Sequence, residues 1–527
     1  MRASHWLACA LGAMLPLAVS AQDRIDGPLS VIDWLDAPQP LAQLPRAPET
    51  SPRNRTADEP AVAATGTAPQ VIVRPLDART SLTVGLVPAS VTGMKPDLWS
   101  GSDVADVVEL IGDLPESDLP AANALLFTLL LAEASAPQGQ ADAQDALTLA
   151  RAQKLMALGA VDPALSLLEQ GGAARAPALF DLWAQLSLLV GTEDTPCGEL
   201  SRNPRMTQDI GLRIFCDARN GAWDNAALAF GSAKALSLLP VDELNVLDRF
   251  LNPDLFEDAP PLRAPRQPDP LTFRLYETIG ESLPTGPLPR AFAVADLRDI
   301  TGWKSQIQAA ERLTRAGALP DNRLLGLYTD RKPAASGGIW DRVRAVQRLD
   351  AALDDSLPEK VSEALPPAWD AMREAGLDVS FSSAFYPRLA DLALDDRASR
   401  VQLHMGLLSP EYELAARRPQ ISDTADMPFT LAAAVARGET PVSAPRDPLP
   451  RAIFDAFSSP EADPELMEMA AQKRLGEALL RAIDQLHTGA RGDSLALRQA
   501  LGTLRALGLE DTARRASLQI LLTERER

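Results

Sequence analysis

A short corner recurs along this chain and limits its folds more than any other feature. Gly159-Ala160-Val161-Asp162-Pro163-Ala164 matches Gly221-Ala222-Trp223-Asp224-Asn225-Ala226 at four of six positions. Looser copies are Gly317-Ala318-Leu319, Gly376-Leu377-Asp378 and Gly508-Leu509-Glu510-Asp511. A glycine at such a corner can take the left-handed conformation that ends a helix, and an aspartate soon afterwards can cap the next one. The copies are separated by 62, 96, 59 and 132 residues, near multiples of about 30–33, the length of a helical hairpin. Elsewhere the apolar spacing is helical, as in Val104, Val107, Val108 and Ile111. Asp162-Pro163 and Pro177 read as helix starts. Aromatic residues make up only 5% of the chain, and Val and Ile clusters are scarce. The core must therefore be built from Leu and Ala, which favours helix over sheet. These features predict a mainly α fold, an irregular, solenoid-like array of helical hairpins. Val71-Ile72-Val73 and Ser81 to Val91 carry β-type residues and predict a small β element near residues 70–92.

The N-terminal region reads differently. Arg2, the apolar run from Trp6 to Val19, and small residues in Val19-Ser20-Ala21 form the pattern of a cleavable secretory signal peptide, 1–21. The run is shorter than the roughly 20 residues of a spanning helix. Cys9 lies inside the run, away from the cleavage point where a lipidated cysteine belongs. The mature chain is therefore expected to begin at Gln22 and to work outside the cytoplasm. A short apolar segment, 22–36, precedes a Pro/Ala-rich linker, 37–69, whose composition predicts disorder. A segment so tethered makes Ile32, Trp34 and Leu35 candidate partner-docking residues. Folding back onto the body as an extra strand or helix is the equal alternative. Pro-rich connections at 257–270 and 441–450 divide the body into helical blocks 70–256, 271–440 and 451–527.

Removing the signal, with Arg2, takes the formal charge from −20 to −21. So acidic a chain repels phosphate backbones, which argues against nucleic acid and anionic membrane surfaces as partners. The longest later apolar run, Leu125 to Ala132, suits the buried face of a helix and predicts no membrane span. Only seven of the 51 basic residues are lysine. With abundant Ala, Leu and Pro this points to a high-GC bacterial gene, and export from such a cell leads to the periplasm or beyond. After cleavage two cysteines remain, Cys197 and Cys216, an even pair expected to form a disulfide in an oxidising compartment.

The glycine corners resemble degenerate tetratricopeptide-type helical hairpins, although that family's Trp-Leu-Gly-Tyr pattern is missing. Leu271-Thr272-Phe273-Arg274, Arg323 to Asp330 and Ala334 to Arg342 resemble segments of exported proteins of α-proteobacteria. That resemblance implies location and helical architecture, and brings no activity with it.

The residues that carry chemistry are sparse. Beyond the signal, His404 and His487 stand alone, without metal-ligand spacing. Gly492-Asp493-Ser494-Leu495 resembles the GDSL block of a secreted esterase family. There the block lies near the N-terminus and a catalytic Asp-x-x-His follows much later. Here Asp484 to His487 comes just before it, and a helix N-cap explains Asp493 or Ser494. Ser336-Gly337-Gly338 lacks a phosphate-loop pattern and reads as an interhelical turn. Asp354-Asp355 and Asp395-Asp396 lack calcium-loop spacing and read as helix ends. Trp303, Trp340 and Trp369 read as packing residues. No catalytic, cofactor or metal residue is predicted. The expectation is an exported periplasmic helical scaffold or protein-interaction protein, non-catalytic, with a protein partner in the cell envelope. The alternative is a peptidoglycan-associated enzyme or accessory module. The Glu-Ser start and Gly-Leu-Met-Gln block of lytic transglycosylases are both missing.

Overall fold

Helix follows helix through the computed structural model, which describes residues 83–137, 142–418 and 427–523. The signal 1–21, the segment 22–36 with Ile32, Trp34 and Leu35, the linker 37–69 and the β-type run 71–73 lie outside the described residues. The longer helices of the first stretch are α1 (Val104–Asp113), α2 (Pro120–Leu131), α3 (Ala143–Leu158), α4 (Val161–Gln170), α5 (Pro177–Val190), α6 (Asp194–Arg202), α7 (Ile210–Arg219), α8 (Trp223–Ala235), α9 (Val241–Leu251) and α10 (Pro270–Thr278). A 3₁₀ turn, Arg290–Leu297, leads to α11 (Trp303–Arg315), α12 (Asp321–Thr329), α13 (Ile339–Asp354), α14 (Pro358–Glu374), α15 (Asp378–Leu389) and α16 (Asp396–Leu408). The remainder is α17 (Met427–Arg437), α18 (Pro448–Ser458), α19 (Pro464–Ala471), α20 (Leu475–Ala490), α21 (Ser494–Ala506) and α22 (Glu510–Leu522). The chain is mainly α. No described helix is long and apolar enough to cross a membrane.

All five corner glycines take positive φ, from +66° to +86°. Each makes the same pair of bonds, illustrated by Gly159 N–H donating to Met156 O and Ala160 N–H to Leu155 O, the closure of a Schellman turn. The aspartates depart from expectation. Asp162 and Asp224 lie inside the first turn of α4 and α8 and accept no capping bond. The glycine turn is so tight that the next helix begins one residue earlier, at Val161 or Trp223. The carboxylates there oppose the positive end of the helix dipole. Pro177 occupies the first position of α5, as expected.

The expected β element reduces, among the described residues, to two isolated bridges, Val84 with Ala134 and Val87 with Ala132, before a helical turn at Ala89–Thr92. Pro88 has no N–H to extend a ladder and instead caps that turn. Two cations from α3 hold this corner. Arg151, fully buried, donates to Leu130 O, Val84 O and Ala132 O at 2.7–2.8 Å. Lys154 donates to Leu114 O and Gly112 O at the end of α1. Each satisfies carbonyls that a helix end leaves without partners.

Successive helices pack as hairpins, α3 on α4, α6 on α7, α7 on α8, α13 on α14, α15 on α16 and α20 on α21. The packing also runs across the Pro-rich connections, because α1 and α2 contact α20, and α2 and α16 both contact α22. Two hydrophobic cores result. One joins residues from Val84 to Ala295 with the C-terminal helices, and the other centres on α11 to α16. Helices α17 and α22 belong to both. Leu431 and Val435 enter the first core while Ala432 and Ala436 enter the second. Ala513 and Ala516 likewise face the first, Leu518 and Leu522 the second.

Candidate functional site

Helix α8 is buried on one side only. Ala226, Phe230 and Ala233 are its only buried residues, on the side packed against α7 and α9. At 100° per residue, Asp224, Leu228, Gly231 and Ala235 fall on the opposite face and Ala227 on its flank, and all five are exposed. Beyond its C-terminus Leu236, Leu238 and Val241 are also exposed, as are Trp223 at its start and Leu255 after α9. Leu228, Leu236, Val241 and Leu255 show 69–78% of their surface to solvent, Trp223 and Leu238 about half. Among the described residues, six of the thirteen exposed large apolar ones thus fall between positions 223 and 255. Scattered singly they would need no account. Gathered on one helix and its flanks they form an apolar edge of the kind that marks an interaction surface.

The edge stands on a stiff base. The Cys197–Cys216 disulfide joins α6 to α7, with the Cα atoms 4.8 Å apart and both residues buried. Asn220 Nδ2 donates to Cys197 O at 3.0 Å and to Ser201 Oγ at 2.6 Å, closing the hairpin's other end. From α7 an aromatic series runs outward. Phe215 stacks on Phe250 at 5.4 Å, and Phe250 lies 6.4 Å from Trp223. At the far end of α8, Ser237 adopts φ +53° to close the turn between Leu236 and Leu238, a conformation unfavourable for a residue with a side chain.

The other singled-out residues have structural partners. Asp493 caps α21, accepting from Leu495 N and Ala496 N at 3.0 Å each, so the GDSL-like block is a helix start. The His404 ring lies 5.0 Å from Trp369 and 5.4 Å from Phe429, with Nε2 2.8 Å from Leu522 O, which ties α16 to α22. Burial and the nearby Arg491 hold the His487 pKa below its ordinary value. Asp354 pairs with Arg388, Asp355 with Lys360, and Asp395 caps α16. Trp303 Nε1 donates to Leu327 O, and its ring lies 5.1 Å from Trp340. Gly337 and Gly338 make the turn into α13. Among the described residues no group of three or more His, Cys, Asp or Glu is placed to hold a metal ion.

Sequence reasoning placed the docking residues in the N-terminal segment and passed over Trp223 and Leu228. The signal that could have found them is the composition of α8. Its Ala, Leu and Gly are spread around the whole helix, so one apolar side must remain uncovered if α8 ends the packing.

Fold and edge together define a disulfide-stapled helical protein that presents an uncovered apolar helix face. Compared with known protein families, curated proteins and solved structures, the chain shows no match.

Proposed function

We propose that this is an exported, non-catalytic helical interaction protein of the periplasm, which docks an apolar helix of an envelope partner along the outer face of α8. The observation that carries the reading is the cluster of exposed Leu and Trp side chains between 223 and 255 on a disulfide-braced hairpin. Trp is among the residues most enriched at interface hot spots, and small residues at 227, 231 and 235 allow close approach of a second helix. A disulfide fits an oxidising compartment. The signal pattern at 1–21 and the resemblance to exported α-proteobacterial proteins support the same location. In this reading the hairpins of 143–235 and 339–408 are short solenoid-like runs. The blocks 70–256, 271–440 and 451–527 are sequence segments whose helices pack across the Pro-rich connections, and the tethered Ile32, Trp34 and Leu35 are a second contact point.

The test is site-specific photo-crosslinking in the native cell envelope. A crosslinker at Leu228 or Leu238 is expected to capture one recurrent envelope protein, while the exposed positions Leu357 and Leu495 give no such product. Capture of that protein must be lost in a Trp223→Ala, Leu228→Asp variant whose melting temperature is unchanged. Equal labelling at all four positions, or none at 228 and 238, overturns the reading.

A further inference from the structure

A second surface has the opposite character. Helix α11 packs on the 3₁₀ turn Arg290–Leu297 and on α12, and turns a polar stripe outward. Ser305, Gln308 and Arg312 follow at i, i+3 and i+7, with Arg315 one turn further. Cavities lie on both sides of this stripe. One, of about 870 Å³, sits under the loop 282–287 and has apolar walls that include Leu283, Pro284, Pro287 and Ile300. The other, of about 510 Å³, lies where α11 meets the start of α13 and is lined by Glu311, Arg312, Arg315 and Arg342. Gln308 and Arg312 border both, so the two form one trough.

Its charges do not cancel. Glu311 is buried and already accepts from Arg342 Nε and Nη2 at 2.8 Å, Arg315 Nη2 at 3.2 Å and Tyr328 Oη at 2.7 Å. One carboxylate therefore faces three guanidinium groups. Arg312 has no carboxylate within ion-pair distance among the described residues. It donates Nη1 to Thr285 O at 3.1 Å and Nη2 to Leu288 O at 2.6 Å, and keeps its Nε–H free. Burial, with Arg290 and Arg315 nearby, pushes its pKa below the usual arginine value. In the larger cavity Glu277 is paired with Arg274 and Arg298, while Asp296 accepts from the Thr285 hydroxyl and has no cation within ion-pair distance among the described residues. An acidic chain thus holds a net positive hollow beside one of mixed lining, apolar at Leu283, Pro284, Pro287 and Ile300, each within the usual size range for small-molecule sites, about 300–1,000 Å³.

We infer that this trough binds an elongated organic anion, with its oxyanion head on Arg312, Arg315 and Arg342 and its apolar body against Leu283, Pro284 and Ile300. The guanidinium fork suits carboxylate and phosphate heads alike. The inference is independent of the α8 edge.

Calorimetric titration of the purified protein with octanoate, octyl phosphate, octanol and inorganic phosphate, all below micelle-forming concentrations, tests it. At least one of the two anionic amphiphiles is expected to bind in the micromolar range, and the tighter of them names the head group. Octanol and inorganic phosphate, each carrying half of the recognition, are expected at least tenfold weaker. Gln308→Glu places a negative charge between the cavities without removing a protein hydrogen bond and is expected to weaken binding at least tenfold. Arg312→Lys keeps the charge and loses less than Arg312→Gln. Leu495→Asp, at an exposed position of α21, leaves binding unchanged. No binding of either amphiphile at millimolar concentration overturns the proposal, as does octanol binding as tightly as octanoate, or binding indifferent to Gln308→Glu.

Discussion

Arg151 carries a charge into the interior with no carboxylate to meet it. Burial lowers its pKa to about 10, so it remains cationic at neutral pH and gives its protons to three backbone carbonyls. Arg151→Met would leave Leu130 O and Ala132 O buried without donors, while Val84 O keeps the Ala134 N–H, and each such loss is worth about 1–3 kcal/mol. The expected outcome is a loss of about 3 kcal/mol, read from the urea midpoint; an unchanged midpoint would mean that water reaches the carbonyls. Glu243 shows the reverse case. Burial, then Asp209 and Asp269, raise its pKa to about 7. The folded chain thus binds this proton more tightly than the unfolded chain. The stabilising contribution is complete below the ordinary carboxylate pKa and is lost as pH rises through about 7. Glu243→Gln should therefore be more stable than wild type at pH 8, by about 1 kcal/mol once solvent screening of a partly exposed group is allowed for. The gap in melting temperature should shrink steadily toward pH 4.5, and a gap that is constant with pH would refute the assignment. Asp493 was legible as a cap because capping needs only its own next three residues. Arg151 was not, because one of its acceptors, on Val84, lies 67 positions away.

At the scale of elements, turns were the most legible part and strands the least. Five glycines were marked as helix ends, and all five adopt the left-handed conformation, because that conformation depends on local backbone sterics. The β-type residues of 84–87 found partners only at single bridges, since pairing depends on a distant strand that the sequence does not announce. Glycines also differ among themselves. Gly221, at φ +80°, opens onto free space, so Gly221→Ala should cost only about 1 kcal/mol of backbone strain. Gly476 has an ordinary helical backbone but lies against the Trp99 ring and Leu98, where an added methyl has no room. Gly476→Ala should cost about 2–3 kcal/mol as overpacking. Equal thermal shifts for the two variants would contradict this ordering. The Cys197–Cys216 link spans 19 positions, a loop whose closure is worth about 3 kcal/mol on the chain-entropy account. Reduction, or Cys197→Ser with Cys216→Ser, is expected to lower the denaturation midpoint accordingly. The largest rise in amide exchange should fall in 194–235, where the link braces α8.

For the molecule as a whole, α22 matters most. Besides lying in both cores, it supplies Gln519 Oε1, which accepts from Ala121 N at 2.9 Å at the otherwise uncapped start of α2. Its Asp511 accepts from Tyr412 Oη at 2.9 Å. Deleting 508–527 should therefore raise amide exchange in both 120–131 and 396–408, and loss of protection in only one would argue against a shared helix. Composition revealed helix, but apolar periodicity holds no information about which distant faces meet, so this closure was not legible. It also sets an order of events during synthesis. Residues 510–522 are translated after every helix they complete, so the Leu faces of α2 and α16 stay uncovered until the ribosome has moved past them. Until then the growing polypeptide lacks its keystone, a condition in which a chaperone still finds an unfolded client.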